Sequence, residues 1–226
     1  MKRVLALHGN LGSPGDWENL GIPGLEAVDL WDHSEKGFEE MARWLARRAG
    51  DERPVLAGYS LGGRLALHAI ALHPDMWSGA VIVSAHPGLQ SEAERTDRRA
   101  RDGEWSRWAR ELPWIEFLRR WDSQGVLGGT APEGRKALDP FRHSVAAAFE
   151  NWSLGRQEDL RPALRDCRVP VSWLTGERDR KFTALGEEMA SVLPRCRHEV
   201  VPGAGHRLLH EVASPVARSV LAMTAG

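Results

Sequence analysis

Cysteine is nearly absent from this sequence: Cys167 and Cys196 are the only two, in no C-x-x-C pattern and beside no His-rich tract. That argues against a disulfide framework and against a zinc site, and it fits a reducing cytoplasm. No apolar run approaches membrane-spanning length. The stretch Val4 to Leu7, after the basic start of MKRVLALHG, is too short for a signal peptide or a span. An excess of one charge is missing too, with 30 basic residues against 31 acidic ones and a formal net charge of -1. No global field therefore draws the chain to nucleic acid or to an anionic membrane, and a partner must be recognised locally. Repeats and low-complexity tracts are also lacking. The expectation for 226 residues is one domain with an insertion, and a single site.

What is present is an alternation of short apolar runs with helical patterns. RVLALHG (3–9), PVLAGYS (54–60), GAVIVSA (79–85), PVSWLTG (170–176) and HEVVPG (198–203) read as buried strands. FEEMARWLARRAG (38–50), LGGRLALHAIALHP (61–74) and FTALGEEMASVLP (182–194) carry apolar positions at helical spacing and end at Gly or Pro. The alternation predicts an α/β fold, a mostly parallel, doubly wound sheet that binds ligands at the carboxyl ends of its strands. Between Pro87 and Arg168 the rhythm stops, and the text turns rich in Arg, Glu and Trp. It reads there as amphipathic helices, with a loop at 125–134. The expected organisation is a helical cap over 87–168, inserted into a core made of 1–86 and 169–226. Trp105, Trp108, Trp114, Trp121 and Trp152 fall in the cap, as packing or as a cavity wall.

The chemistry is carried by Gly58-Tyr59-Ser60-Leu61-Gly62. A G-x-S-x-G match arises by accident in about one chain in seven of this composition, so context decides its value. Here it closes a predicted strand and opens a predicted helix, the setting of a nucleophile elbow. A serine hydroxyl needs a histidine to take its proton and an acid to orient that histidine. In this strand order they should follow as Asp then His at later strand ends, where Asp179 and His206 stand. His198, His210 and Asp166 are worse placed. The backbone N–H groups of Leu61 and of Asn10, with Leu11 as the alternative to Asn10, are expected to form an oxyanion hole. His8 and Gly9 shape that loop. Arg64 lies one helical turn after Ser60, near a positive helix end and against an apolar sheet. Either an anion compensates its charge there, or its long stem carries it out to water.

LHGNLGSPGDW, GYSLGGRLAL, HPGLQSEAERTDRRARD, LGRQEDL, GERDRKF and GAGHRLLHE resemble segments of the α/β-hydrolase superfamily. More closely, they resemble its 2-succinyl-6-hydroxy-2,4-cyclohexadiene-1-carboxylate (SHCHC) synthase family. The resemblance implies a lyase of menaquinone biosynthesis that eliminates pyruvate from 2-succinyl-5-enolpyruvyl-6-hydroxy-3-cyclohexene-1-carboxylate. Ser60, relayed through His206, would act as base, with no cofactor and no metal. The implied partner is a small substrate bearing several carboxylates, suited to the planar guanidinium of Arg64. The resemblance also implies substrate roles for Tyr59, Arg98, Trp121 and Arg142, with Arg135 as the alternative to Arg142. Lys181 matches a family lysine without an assigned role. Gly125 and Leu127 stand where the family tends to have Pro and Phe, which alters the cap side of the pocket. The competing reading is a serine hydrolase, a carboxylesterase or thioesterase, acting on a small carboxylate-bearing ester. A non-catalytic receptor is disfavoured because no triad member is missing.

Overall fold

Apolar runs bounded by Gly and Pro form a six-stranded parallel sheet in the computed structural model, which describes residues 1–128, 131–132 and 134–226. The strands are β1 (Val4–Leu7), β2 (Leu25–Val28), β3 (Val55–Tyr59), β4 (Gly79–Val83), β5 (Val171–Gly176) and β6 (Cys196–Val201). Their order is β2-β1-β3-β4-β5-β6. The winding direction reverses between β1 and β3, paired from Val4↔Val55 to Leu7↔Gly58. Such a reversal opens a crevice at the carboxyl ends of the two strands, where Asn10 and Ser60 follow them.

Period-2 alternation sends Leu5, Leu7, Leu56 and Ile82 to one face and Val4, Ala6, Val55, Val81 and Val83 to the other. The helices between are α1 (Gly15–Glu18), α2 (Phe38–Ala49) and α3 (Leu61–Leu72). Met41 and Leu45 of α2, with Leu65 and Ala69 of α3, cover the first face. Between β4 and β5 come α4 (Glu92–Glu111), α5 (Trp114–Asp122), α6 (Arg142–Asn151) and α7 (Arg161–Leu164). After β5 follow α8 (Arg180–Val192), α9 (Leu208–Glu211) and α10 (Ala213–Ala225). Leu208 and Leu209 of α9, with Val216 and Val220 of α10, cover the second face. Each such buried aliphatic side chain contributes about 1.5–3 kcal/mol of transfer free energy.

α4 starts where the Ser91 hydroxyl accepts the Glu94 N–H, and it stops before Pro113, which cannot continue it. Its solvent face is laced with pairs such as Arg107 to Glu111 at 3.4 Å. Its inner face seats Ala109 and the Ser106 hydroxyl, which donates to Ala146 O at 2.9 Å. Trp105, Trp121 and Phe149 pack ring against ring, and Phe149 belongs to the same apolar cluster as the first face of the sheet. The loop expected at 125–134 contains a 3-10 turn at Gly125–Leu127, and its residues 129, 130 and 133 lie outside the described residues. Strand β2 escapes the sequence pattern because LEAV is four residues long, carries Glu26 and sits at the sheet edge, so its apolar run is too short to register.

Candidate active site

Ser60 leaves β3 with φ 51° and ψ −106°, a conformation that costs a non-glycine residue of order 1–3 kcal/mol. The flanking glycines permit it. A Cβ on Gly62 would meet the backbone carbonyl of Leu7, and one on Gly58 the backbone of Gly62, so strand and helix touch only because both lack side chains. Around this turn the Ser60 N–H donates to Val83 O and the Gly62 N–H to His8 O. The Leu61 N–H, at the positive end of α3, has no protein acceptor among the described residues.

The Ser60 hydroxyl lies 3.1 Å from His206 Nε2, and His206 Nδ1 donates to Asp179 Oδ2 at 2.7 Å. An ionised carboxylate only accepts, so Nδ1 carries the proton and Nε2 is free to accept from Ser60. Asp179 follows β5 and heads α8, and His206 follows β6; the Arg178 N–H to Ala204 O bond ties the two loops together. The Phe182 ring packs 4.4 Å from the imidazole, and Asp179 and His206 are both buried.

Two cavities meet at this dyad. The larger, about 230 Å³, is lined among the described residues by Arg98, Arg101 and Lys181 against one carboxylate, Asp102, with Trp105, Trp121 and Phe182 as its apolar wall. Arg98 Nε donates to both Asp102 oxygens at 2.9 Å, which leaves its terminal nitrogens without protein acceptors among the described residues. The Ser153 hydroxyl holds the buried Asp102 at 2.7 Å. Desolvation, and then the Arg98 charge, hold the Lys181 ammonium below its ordinary pKa. The smaller cavity, about 30 Å³, shares Asn10, Ser60, Trp121 and His206 with the first and adds Tyr59, Arg135 and Arg207. Burial raises the pKa of the Tyr59 phenol, so it stays neutral.

Two expected substrate residues sit elsewhere. Arg64 lines neither cavity. It is 7% exposed, so it does not reach water, and it donates to Trp152 O at 2.8 Å and Gln157 Oε1 at 3.2 Å. Gln157 in turn donates to His86 O at 2.8 Å, so the guanidinium braces α3 to the segment after β4 and to the segment between α6 and α7. Its hydrogen-bond partners are neutral carbonyl dipoles, and the Asp102 charge favours its ionised form without pairing with it. Burial, and after it the Arg98 charge, pull its pKa down to about 9, which keeps it charged at neutral pH. Arg142 is the second correction. Asp139 holds it at 2.5 Å, it lies over the Trp114 ring, and it lines neither cavity. The short i,i+3 partner captures it. Its alternative, Arg135, stands on the smaller cavity. Trp121 serves both readings, as cavity wall and as a ring packed on Trp105 at 5.1 Å. Arg101 and Arg207 were not singled out. The position of Arg207, directly after His206, was the available signal.

A strained serine between parallel strand and helix, touching a histidine that an acid holds from behind, with both partners following later strands, defines an α/β-hydrolase. The alpha/beta hydrolase family model matches residues 4–219, and the chain belongs to that family. A 2-succinyl-6-hydroxy-2,4-cyclohexadiene-1-carboxylate synthase of Salmonella agona is 34% identical over 235 residues, covering 96% of this chain and 91% of its own length. Within the α/β-hydrolases, the chain is therefore a member of the SHCHC synthase family. Among solved structures, MenH from S. aureus superposes with a TM-score of 0.85 at 23% identity, over 98% of this chain and 92% of that one. The carboxylesterase CesB from Bacillus subtilis gives 0.68 at 20% identity, over 99% and 84%. Both likenesses speak for the fold alone.

Proposed function

We propose that this protein is a lyase of menaquinone biosynthesis, eliminating pyruvate from 2-succinyl-5-enolpyruvyl-6-hydroxy-3-cyclohexene-1-carboxylate to give SHCHC. In this reading Ser60, its proton drawn by His206, removes the ring proton beside the succinyl carbonyl. The electron pair moves onto that carbonyl oxygen, which the N–H groups of Leu61 and Asn10 receive as an oxyanion. When the pair returns, the ring double bond shifts and the carbon–oxygen bond to the enolpyruvyl group breaks. The departing enol regains a proton on carbon and becomes pyruvate, so one proton leaves the ring and one is returned. No acyl-enzyme forms.

The observation that carries this reading is the large cavity itself: among the described residues, three basic side chains against one carboxylate, opening on a serine already in contact with its histidine. A small polyanion matches that imbalance, and a neutral ester does not. Residues 87–168 act as the cap that closes over it. The free thiols of Cys167 and Cys196 suit a cytoplasmic setting, and no helix among the described residues is long and apolar enough to cross a membrane. The test is pyruvate release from the freshly generated enolpyruvyl intermediate, followed spectrophotometrically. Steady turnover is expected. Absence of pyruvate, together with a burst of product from an activated carboxylate-bearing ester, would replace the lyase by a hydrolase.

A further inference from the structure

Arg207 directly follows His206, is 3% exposed and lines the smaller cavity. One terminal nitrogen, Nη2, donates to Asp122 Oδ1; the other, Nη1, is fully buried and has no hydrogen-bond partner among the described residues. A buried guanidinium nitrogen left unpaired is costly, and an acceptor reaching it from the cavity would recover that cost. Arg135, 8% exposed and on the same wall, already grips Asp122 with two nitrogens at 2.6 and 2.8 Å. Among the described residues Arg135 and Arg207 therefore share one carboxylate, Asp122, and that cluster carries an excess of one positive charge. Asp16 is the acid on this wall among the described residues; it accepts the Ser13 N–H and faces His210 at 3.9 Å, and burial raises its pKa. A volume of about 30 Å³ admits a carboxylate head but no ring.

We propose that Arg207, backed by Arg135, forms a carboxylate-binding subsite for the enolpyruvyl arm and for the pyruvate it becomes. The ring and succinyl carboxylates stay with Arg98, Arg101 and Lys181 in the larger cavity. This assignment rests on the lyase reading above and deepens it. It sets the leaving group beside His206, the residue that holds the proton the enol needs. The two cavities then divide the substrate at the bond that breaks.

Pyruvate itself is the probe, titrated into the full-length protein and followed by intrinsic tryptophan fluorescence, for which Trp121 lies on the cavity wall. Arg207→Gln should weaken pyruvate binding about 10- to 30-fold. Asp122→Asn should bind pyruvate at least as tightly as the unmodified protein, because it removes the competing carboxylate. If Arg207 were only a strut between cap and catalytic loop, both substitutions would break the same ion pair and weaken binding alike. Should Arg207→Gln fail to fold, Arg207→Lys, which keeps the charge and loses the fork, should still bind more weakly than the parent. Equal affinity of parent and Arg207 variants, parallel losses in Arg207→Gln and Asp122→Asn, or no pyruvate binding by the parent overturns the subsite. The titration needs no turnover. A failure of the lyase reading shows separately, as absent pyruvate release from the enolpyruvyl substrate.

Discussion

Acidification from pH 7.5 to 5.5 should destabilise this protein by about 3 kcal/mol, through two histidines that the fold keeps neutral. His68, inside α3, stacks on Phe38 at 4.4 Å with Nε2 unpartnered; burial, and then the Arg64 charge, lower its pKa to about 3. His86, after β4, accepts the Gly88 N–H on Nδ1. Its pKa also falls to about 3, through burial and then the charges of Lys181, Arg64, Arg161 and Arg98. In the unfolded chain both titrate near 6.5, so below that pH the unfolded state binds protons that the native state refuses. The stability is fully present above pH 6.5 and is lost as pH falls toward 3. At pH 5.5 each histidine accounts for about 1.4 kcal/mol, together about 3, or roughly 6–12 °C in Tm for a chain of this size. His33, His198 and His210 are also lowered and steepen the loss, whereas Asp16, raised by burial, opposes it. The lowered carboxylates of Asp29, Asp122 and Glu150 lose their contribution only nearer pH 4 and below, outside this window. Urea midpoints at the two pH values measure the effect, and His68→Phe, which places an apolar ring on Phe38, should remove about half of it. A urea midpoint independent of pH between 7.5 and 5.5, or a His68→Phe variant with the parent's full pH slope, would refute the assignment of these protons.

Ser60→Ala should lower kcat by about 10²- to 10⁴-fold with substrate affinity nearly intact; parental turnover would remove the hydroxyl from the chemistry. Arg98→Gln should raise KM about 10- to 100-fold, because Arg98 lines the cavity and its terminal nitrogens have no protein acceptors among the described residues, whereas Arg142→Gln should change kcat/KM by no more than about twofold. The reverse ranking in steady-state kinetics would restore Arg142 to the substrate. Arg64→Lys cannot reach both Trp152 O and Gln157 Oε1 and should cost about 1–3 kcal/mol in urea unfolding. An unchanged midpoint would deny the brace.

The fold was largely legible because its strands are buried on both faces and therefore spell continuous apolar runs, as VLAL, VLAGY and GAVIV do. Edge strands escape that rule. β2 went unread, and β6 begins two residues before the apolar run that signals it. Ser60, Asp179 and His206 could be named because strand-end position, chain order and residue type agree at all three. Arginine resists such reading. Its stem is long enough to turn toward cavity, carbonyl or carboxylate, and only the fold decides which, as Arg64, Arg98, Arg135 and Arg142 show in four different ways.

That spread of roles explains a charge in the middle of an apolar helix. Arg64, Arg98 and Lys181 each lower the pKa of His86, and Arg98 lowers those of Arg64 and Lys181 as well. One field therefore covers the floor and the wall of the site, and among the described residues Asp102 is the only carboxylate in the wall of the larger cavity. Carbonyl dipoles hold Arg64 in that field without neutralising it, because dipoles satisfy hydrogen bonds but carry no net charge. Had an acid been built opposite Arg64, the brace would be stronger and the potential at Ser60 weaker. Arg98 and Lys181 disfavour each other's charge, and a polyanion that pairs with both relieves that mutual cost as well. Its binding should raise the stability of the protein, because the ligand pairs with the native arrangement of these cations and not with the unfolded chain.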